Sequence, residues 1–244
     1  MRIEILGTRG EIEESAPDHR LHSGILIDDT ILLDVGEREF LESGPDWIFI
    51  THLHPDHAFF VNEEAEIKIP VYGPEDYNDV VTAIGSPQTF GSYTVIPIPT
   101  HHSAKVASVA YLVKFGEYSI LYTGDIVWIN REYHPLFDPV DLVITDGSYI
   151  RRGGLIRKHT DTGTLFGHNG IPDLIRLFAP CTGKVIFVHF GTWFFRDIAA
   201  SEKKIQDLGK SMEYLPSLPT TAWNVLLVIE GECGETNFPI PVLD

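Results

Sequence analysis

The apolar run Trp47-Ile48-Phe49-Ile50 stops abruptly at Thr51-His52-Leu53-His54-Pro55-Asp56-His57. The run reads as a buried strand. The residues at its end follow the pattern H-x-H-x-D-H. His52 and His54 are two positions apart, so in extended chain both imidazoles point the same way. Pro55 ends the strand, and Asp56 and His57 fall on the turn that follows, where they can point back at the same spot. Four nitrogen and oxygen donors converging at a strand exit suit a borderline divalent cation such as Zn²⁺. The chain around this stretch must therefore be a sheet whose strand ends are brought together.

Composition limits the setting. A length of 244 residues with 43% hydrophobic content fits one large globular domain, 1–244, or two fused halves within it. No apolar run reaches the roughly 18 residues of a membrane span. The start, Met1-Arg2-Ile3-Glu4-Ile5-Leu6-Gly7, reads as a strand rather than a signal peptide. Cys181 and Cys233 are too few for a disulfide framework and read as small packing residues. A cytoplasmic location with both thiols reduced is the expectation. The formal charge of −17 argues against a general affinity for nucleic acid and leaves room for a local basic pocket.

Read in order, the chain repeats the theme of apolar runs ending in acids or histidines. Residues 2–7 alternate as a strand, and 7–20 form a polar loop. Two short apolar runs around Asp28-Asp29 read as a hairpin ending at Leu32-Leu33-Asp34-Val35-Gly36. One or two helical turns are expected over 37–43, a short helix over 57–66, a strand over 67–72 and an amphipathic helix over 75–84. A strand at 93–98 leads into His101-His102-Ser103. A tight hairpin at 108–122 ends in Thr123-Gly124-Asp125. Residues 126–140 read as irregular. A strand at 141–146 ends in Asp146, read as structural. A helix over 171–179 precedes a strand at 184–188, which ends in His189-Phe190-Gly191. An amphipathic helix at 197–210 and a last strand at 223–230 complete the reading.

The H-x-H-x-D-H stretch at 52–57, together with later strand exits at His102, Asp125 and His189, resembles the metallo-β-lactamase superfamily. That resemblance implies an α+β fold, a four-layer αββα sandwich. It implies two divalent metal ions, zinc first, with manganese or iron as alternatives. His52, His54 and His102 would hold one ion, and Asp56, His57 and His189 the other. Asp125 and a bridging hydroxide would lie between them. His102 is favoured over His101 because a Ser follows it, as in many relatives. Asp56 doubles as a proton acceptor in the same scheme. Leu33-Asp34-Val35-Gly36 resembles the superfamily's early L-D-x-G strand, which makes Asp34 a support of the metal loop.

Within the superfamily, His168 stands 21 positions before His189 at the head of a helix. This resembles tRNase Z and the cyclic-phosphate phosphodiesterases, where a His so placed stabilises the transition state or protonates the leaving oxygen. The flanking hydroxyl of that motif is replaced here by Asn169-Gly170, and a helix-terminal His without chemistry is the other reading. The tRNA-gripping arm of tRNase Z has no room, because only 22 residues separate His102 from Asp125 and a hairpin uses nearly all of them. The basic island Arg151, Arg152, Arg157 and Lys158, with no acid between 151 and 158, is either an exposed loop or a contact for an anionic substrate. The expectation is a metal-dependent hydrolase, foremost a phosphodiesterase on a small anionic phosphate ester. The alternative is a lactonase or other carbonyl-ester hydrolase in which Tyr149 serves the oxyanion. A non-catalytic metal-binding protein ranks lower, because such a protein has no need of seven ligands. A homodimer is compatible with the resemblance.

Overall fold

The computed structural model describes residues 1–212, 224–226 and 233–234. The first sheet is built from β1 (Ile3–Gly7), β2 (Gly24–Ile27), β3 (Ile31–Leu33), β4 (Trp47–Phe49), β5 (Val71–Gly73) and β6 (Val81–Ala83). The second is built from β7 (Gln88–Phe90), β8 (Tyr93–His101), β9 (Val109–Phe115), β10 (Tyr118–Tyr122), β11 (Trp128–Ile129) and β12 (Leu142–Asp146). Between them and the C-terminal part stands a separate hairpin, β13 (Leu155–Lys158) and β14 (Leu165–His168). Helix α1 (Ile171–Phe178), β15 (Lys184–Val188), the short α2 (Thr192–Phe195) and α3 (Ile198–Met212) follow. The described chain ends with β16 (Asn224–Leu226) and β17 (Cys233–Gly234). Strand order in the first sheet is β17-β1-β2-β3-β4-β5-β6, and in the second β11-β8-β9-β10-β12-β15-β16, with β7 pairing β8.

The period-2 alternation of the strands sorts their side chains into layers. Ile25, Ile27, Ile31, Leu33 and Phe49 from the first sheet meet Tyr111, Val113, Ile120, Ile144 and Val188 from the second, forming the core between the sheets. The alternate residues of β9, β10, β12 and β15, among them Leu112, Leu121, Val143 and Phe187, pack outward against Ile171, Leu174, Ile175 and Phe178 of α1 and Ile205 of α3. On the far face of the first sheet, Leu26, Leu32, Ile48 and Ile50 are covered by Phe40, Phe59 and Phe60. Those three come from 3₁₀ turns, Arg38–Ser43 and Phe59–Val61. The sandwich is α+β, and its N-terminal outer layer is reduced to such turns.

Two expected helices are absent. Over 57–66 only Phe59–Val61 is helical. The backbone of 57–59 is instead committed to Val35: Val35 N–H donates to His57 O (2.8 Å) and Phe59 N–H to Val35 O (3.0 Å). Over 75–84 the apolar spacing is helical, yet Asn78 is left-handed (φ 45°) and Val81–Ala83 pairs with β5 as β6. Asp76 accepts the Ala83 N–H (2.8 Å) and closes that loop. The strand expected at 67–72 is confined to Val71–Gly73. Of the last expected strand only 224–226 lies within the described residues. No helix among the described residues is long and apolar enough to cross a membrane.

Candidate metal centre

Strand direction gathers the site. β10, β12 and β15 are mutually parallel, so Asp125, Asp146 and His189 emerge at the same edge. β3 and β4 are parallel in the facing sheet and deliver Asp34 and the 52–57 stretch to that edge. β8 brings His102 to the same place. Three overlapping sets of donors result: His52, His54, His102 and Asp125; Asp56, His57, Asp125 and His189; and Asp125, Asp146, His168 and His189. Asp125 belongs to all three. His101 belongs to none of them, and its Nε2 lies 3.2 Å from Asn130 Oδ1 instead.

Hydrogen bonds fix which ring nitrogens face inward. Asp34 is wholly buried and left-handed (φ 59°). Its Oδ1 accepts the Thr51 N–H (2.7 Å), and its Oδ2 accepts Tyr122 O–H (2.7 Å) and the His57 Nδ1–H (2.7 Å). An ionised carboxylate only accepts, so His57 gives its Nδ1–H to Asp34 and turns Nε2 toward the cluster. Thr51 Oγ1 donates to Asp34 and can then accept from His52 Nδ1 (3.1 Å), which leaves His52 Nε2 bare. The Gly167 carbonyl takes the His102 Nδ1–H (3.0 Å) and bares Nε2 there as well. His52 Nε2 and His102 Nε2 lie 3.0 and 3.2 Å from His54 Nδ1. Two lone pairs thus meet a nitrogen that can give a proton to only one of them.

That geometry fits a cation. His57 Nε2 and Asp125 Oδ1 are buried without a hydrogen-bond partner among the described residues, 3.3 Å apart. Asp34, Asp56, Asp125 and Asp146 are all buried, and buried carboxylates require compensating positive charge. In the protein alone, protons carry it. Burial opposes the charge on His57, but Asp125, Asp34 and Asp56 outweigh it and raise its pKa well above the ordinary value. His189 behaves alike: burial opposes its charge, yet Asp125, Asp146 and Asp56 push it up to about 10. His102, dominated by burial, falls to about 4, and burial lowers His52 and His54 too.

His168 sits beside this cluster. Its Nδ1 lies 2.8 Å from Asp146 Oδ2, and its ring stacks 5.6 Å from that of His189. Burial disfavours its charge, but Asp146 and Asp125 prevail and raise its pKa. Ser148 closes the network, donating to Asp146 Oδ1 (2.6 Å) and standing 2.8 Å from His189 Nδ1. Asp146, expected to be structural, is thus the partner of His168, and Ser148 joins it without having been among the expected site residues. The signal for both was present in Asp146-Gly147-Ser148, one more strand exit parallel to the others.

A cleft of about 430 Å³ opens over the cluster, lined by His54, Asp56, His102, Asp125, His168 and His189. Its walls add Glu11, Tyr149, Trp193 and Arg196. None of Arg151, Arg152, Arg157 and Lys158 lines it. Arg157 and Lys158 lie exposed on β13. Arg151 is exposed too; its guanidinium lies 5.8 Å over the Tyr149 ring, and its Nε–H goes to Gly154 O (2.9 Å).

The paired sheets with this His/Asp edge are the metallo-β-lactamase fold. YhfI from Bacillus subtilis, a protein of that fold, superposes with a TM-score of 0.61 at 19% identity, over 85% of this chain and 92% of its own. A diphosphatase of the PhnP family gives 0.58 at 15% identity, over 94% of this chain and 95% of its own. The short form of human tRNase Z gives 0.57 at 18% identity, over 79% of this chain and 94% of its own. No protein-family model and no curated protein matches the sequence.

Proposed function

We propose that this protein is a metal-dependent hydrolase acting on phosphodiesters of small anionic molecules. The observation that carries the reading is the Asp146–His168 pair at the edge of the donor cluster, with the His168 side chain 21% exposed toward the cleft. His52, His54 and His102 would hold one divalent ion and Asp56, His57 and His189 a second, with Asp125 shared. Zinc suits this nitrogen-rich set first, with manganese or iron as alternatives. Bound there, two such ions would supply Lewis acidity and an activated water.

The chain's own residues supply the proton transfers. Asp146 fixes the His168 Nδ1–H and supports a positive ring, so His168 holds a proton at Nε2 that it can give to the leaving alkoxide oxygen. Asp56 lines the cleft and is held well below the usual carboxylate range by His57 and His189 against the pull of burial. It therefore stays ionised at neutral pH and orients the attacking water as an acceptor. The structural likeness to a PhnP-family diphosphatase and to tRNase Z is compatible with phosphoryl chemistry. The charge of −17 favours small substrates over nucleic acid.

The test is hydrolysis of bis(p-nitrophenyl) phosphate by protein reconstituted with Zn²⁺ or Mn²⁺, against a chelated control. His168→Ala is expected to lose about 10²–10⁴-fold in rate at unchanged metal content; an unaffected rate would remove the assigned role. Tyr149 also lines the cleft, its ring 5.9 Å from His168. Turnover of lactones but not of phosphodiesters, abolished in Tyr149→Phe, would establish the carbonyl-ester alternative.

A further inference from the structure

One cleft residue has no part in this chemistry. Arg196 follows α2 and alone among the described cleft-lining residues carries a fixed positive charge; the other ionisable ones are Glu11, Tyr149, two aspartates and four histidines. It is exposed and makes no hydrogen bond or ion pair with any described residue. In a chain with 35 acids against 18 Lys and Arg, a guanidinium left without an acid beside a cleft is informative. Its base is held firmly. Phe194 is fully buried and stacked on Phe190 at 3.9 Å, Trp193 Nε1–H donates to Gly147 O (3.0 Å), and Thr192 Oγ1–H donates to Glu14 (3.1 Å). Glu11 lines the same cleft, on a segment tied to this one by the Arg9–Phe190 bridge and by the Gly10 N–H bond to Phe190 O.

Arg196 is therefore the fixed positive charge of this cleft among its described lining residues. A second anionic group on a bound substrate is drawn to Arg196, where a guanidinium can engage phosphate oxygens in pairs. The Trp193 ring on the same wall offers a flat surface to the part of the molecule between the two charges. We propose that Arg196 binds a second, non-reacting phosphate of the substrate, so that the protein selects phosphodiesters that carry an additional anionic group. This rests on the phosphodiesterase reading above.

Two chromogenic esters that differ by one phosphate test it: thymidine 5′-(p-nitrophenyl phosphate) and its 3′-phosphorylated form. In each, water adds to phosphorus and p-nitrophenol departs. The wild-type protein is expected to favour the 3′-phosphorylated ester by roughly tenfold in kcat/KM, through KM. Arg196→Ala brings the ratio to about one, and Arg196→Lys retains part of it. Equal values in the wild type would overturn the proposal, as would a collapse of the ratio in Arg157→Ala rather than Arg196→Ala, which would move the anion subsite to the basic hairpin. Calorimetric binding of thymidine 3′,5′-bisphosphate against thymidine 5′-monophosphate to the metal-loaded protein gives the readout without turnover. A roughly tenfold preference that Arg196→Ala abolishes supports the assignment even where no ester is hydrolysed, in which case the hydrolase reading alone fails. Hydrolysis of both esters with no preference in rate or binding would remove the Arg196 assignment and leave the hydrolase reading in place.

Discussion

Asp34 does not line the cleft, yet it sets the orientation of two of the cluster's histidines. Its carboxylate accepts hydrogen bonds from Thr51, Tyr122 and His57 and, through Thr51, points His52 inward. Asp34→Ala should cost about 10–100-fold in metal affinity, measured by competition with a chromophoric chelator. It should also lower unfolding stability by roughly 3 kcal/mol, because the Tyr122 hydroxyl and the His57 N–H are left buried without an acceptor. Asp146 works on His168 in the same manner but on a proton rather than a metal. The raised His168 pKa keeps its acid form to higher pH than an ordinary histidine, and activity declines as pH rises through that pKa. Asp146→Asn removes the charge that raises it, so the alkaline limb of the kcat/KM profile should move to lower pH. A limb that stays in place would show that His168 is not the titrating acid. The ligands were legible in the sequence because each is an acid or His placed where an apolar run stops. Arg196 was not, since nothing local marks an exposed arginine after a four-residue helix as facing a cleft.

At the level of elements, close approach matters more than propensity. Gly124 holds a left-handed φ of 55°, and a Cβ there would stand 2.4 Å from Thr51 Oγ1, the atom that bonds Asp34. Gly124→Ala should therefore cost about 1–3 kcal/mol in urea unfolding and lower metal stoichiometry together, since both strain the same turn. Strands buried on both faces, such as β12 and β15, were plain as unbroken apolar runs. The helix expected over 75–84 was misread for a physical reason. Tyr77, Val80, Val81 and Ile84 have helical spacing, but an open edge of β5 offers Val81–Ala83 a full ladder, and Asp76 and Asn78 supply the turn. Nothing in the sequence marks the β13–β14 hairpin, because a two-stranded sheet with exposed Ile156 and Leu165 leaves no burial pattern.

For the molecule as a whole, the buried cluster makes stability depend on pH from both sides. His189, raised to about 10 from 6.5, contributes stability that is complete below 6.5 and is lost as pH climbs toward 10. His102, lowered to about 4, contributes stability that is present above 6.5 and is lost as pH falls toward 4. Metal-free protein should therefore melt lower on either side of neutrality, and bound metal should flatten the alkaline decline by replacing the proton on His189. Thermal melts with and without chelator across this range decide the point. At neutral pH, metal in thousandfold excess over its Kd should raise Tm by on the order of 10 °C. The same cluster has a kinetic side. Asp56 and His189 meet although they are 133 positions apart, and Phe190 is laced by backbone bonds to Thr8 and Gly10 near the chain's start. A cation held between them closes a loop of more than half the chain, acting as a cross-link that can be made and withdrawn. The lifetime of the folded molecule is then governed by the fraction of time that link is absent, and so by the free metal around it.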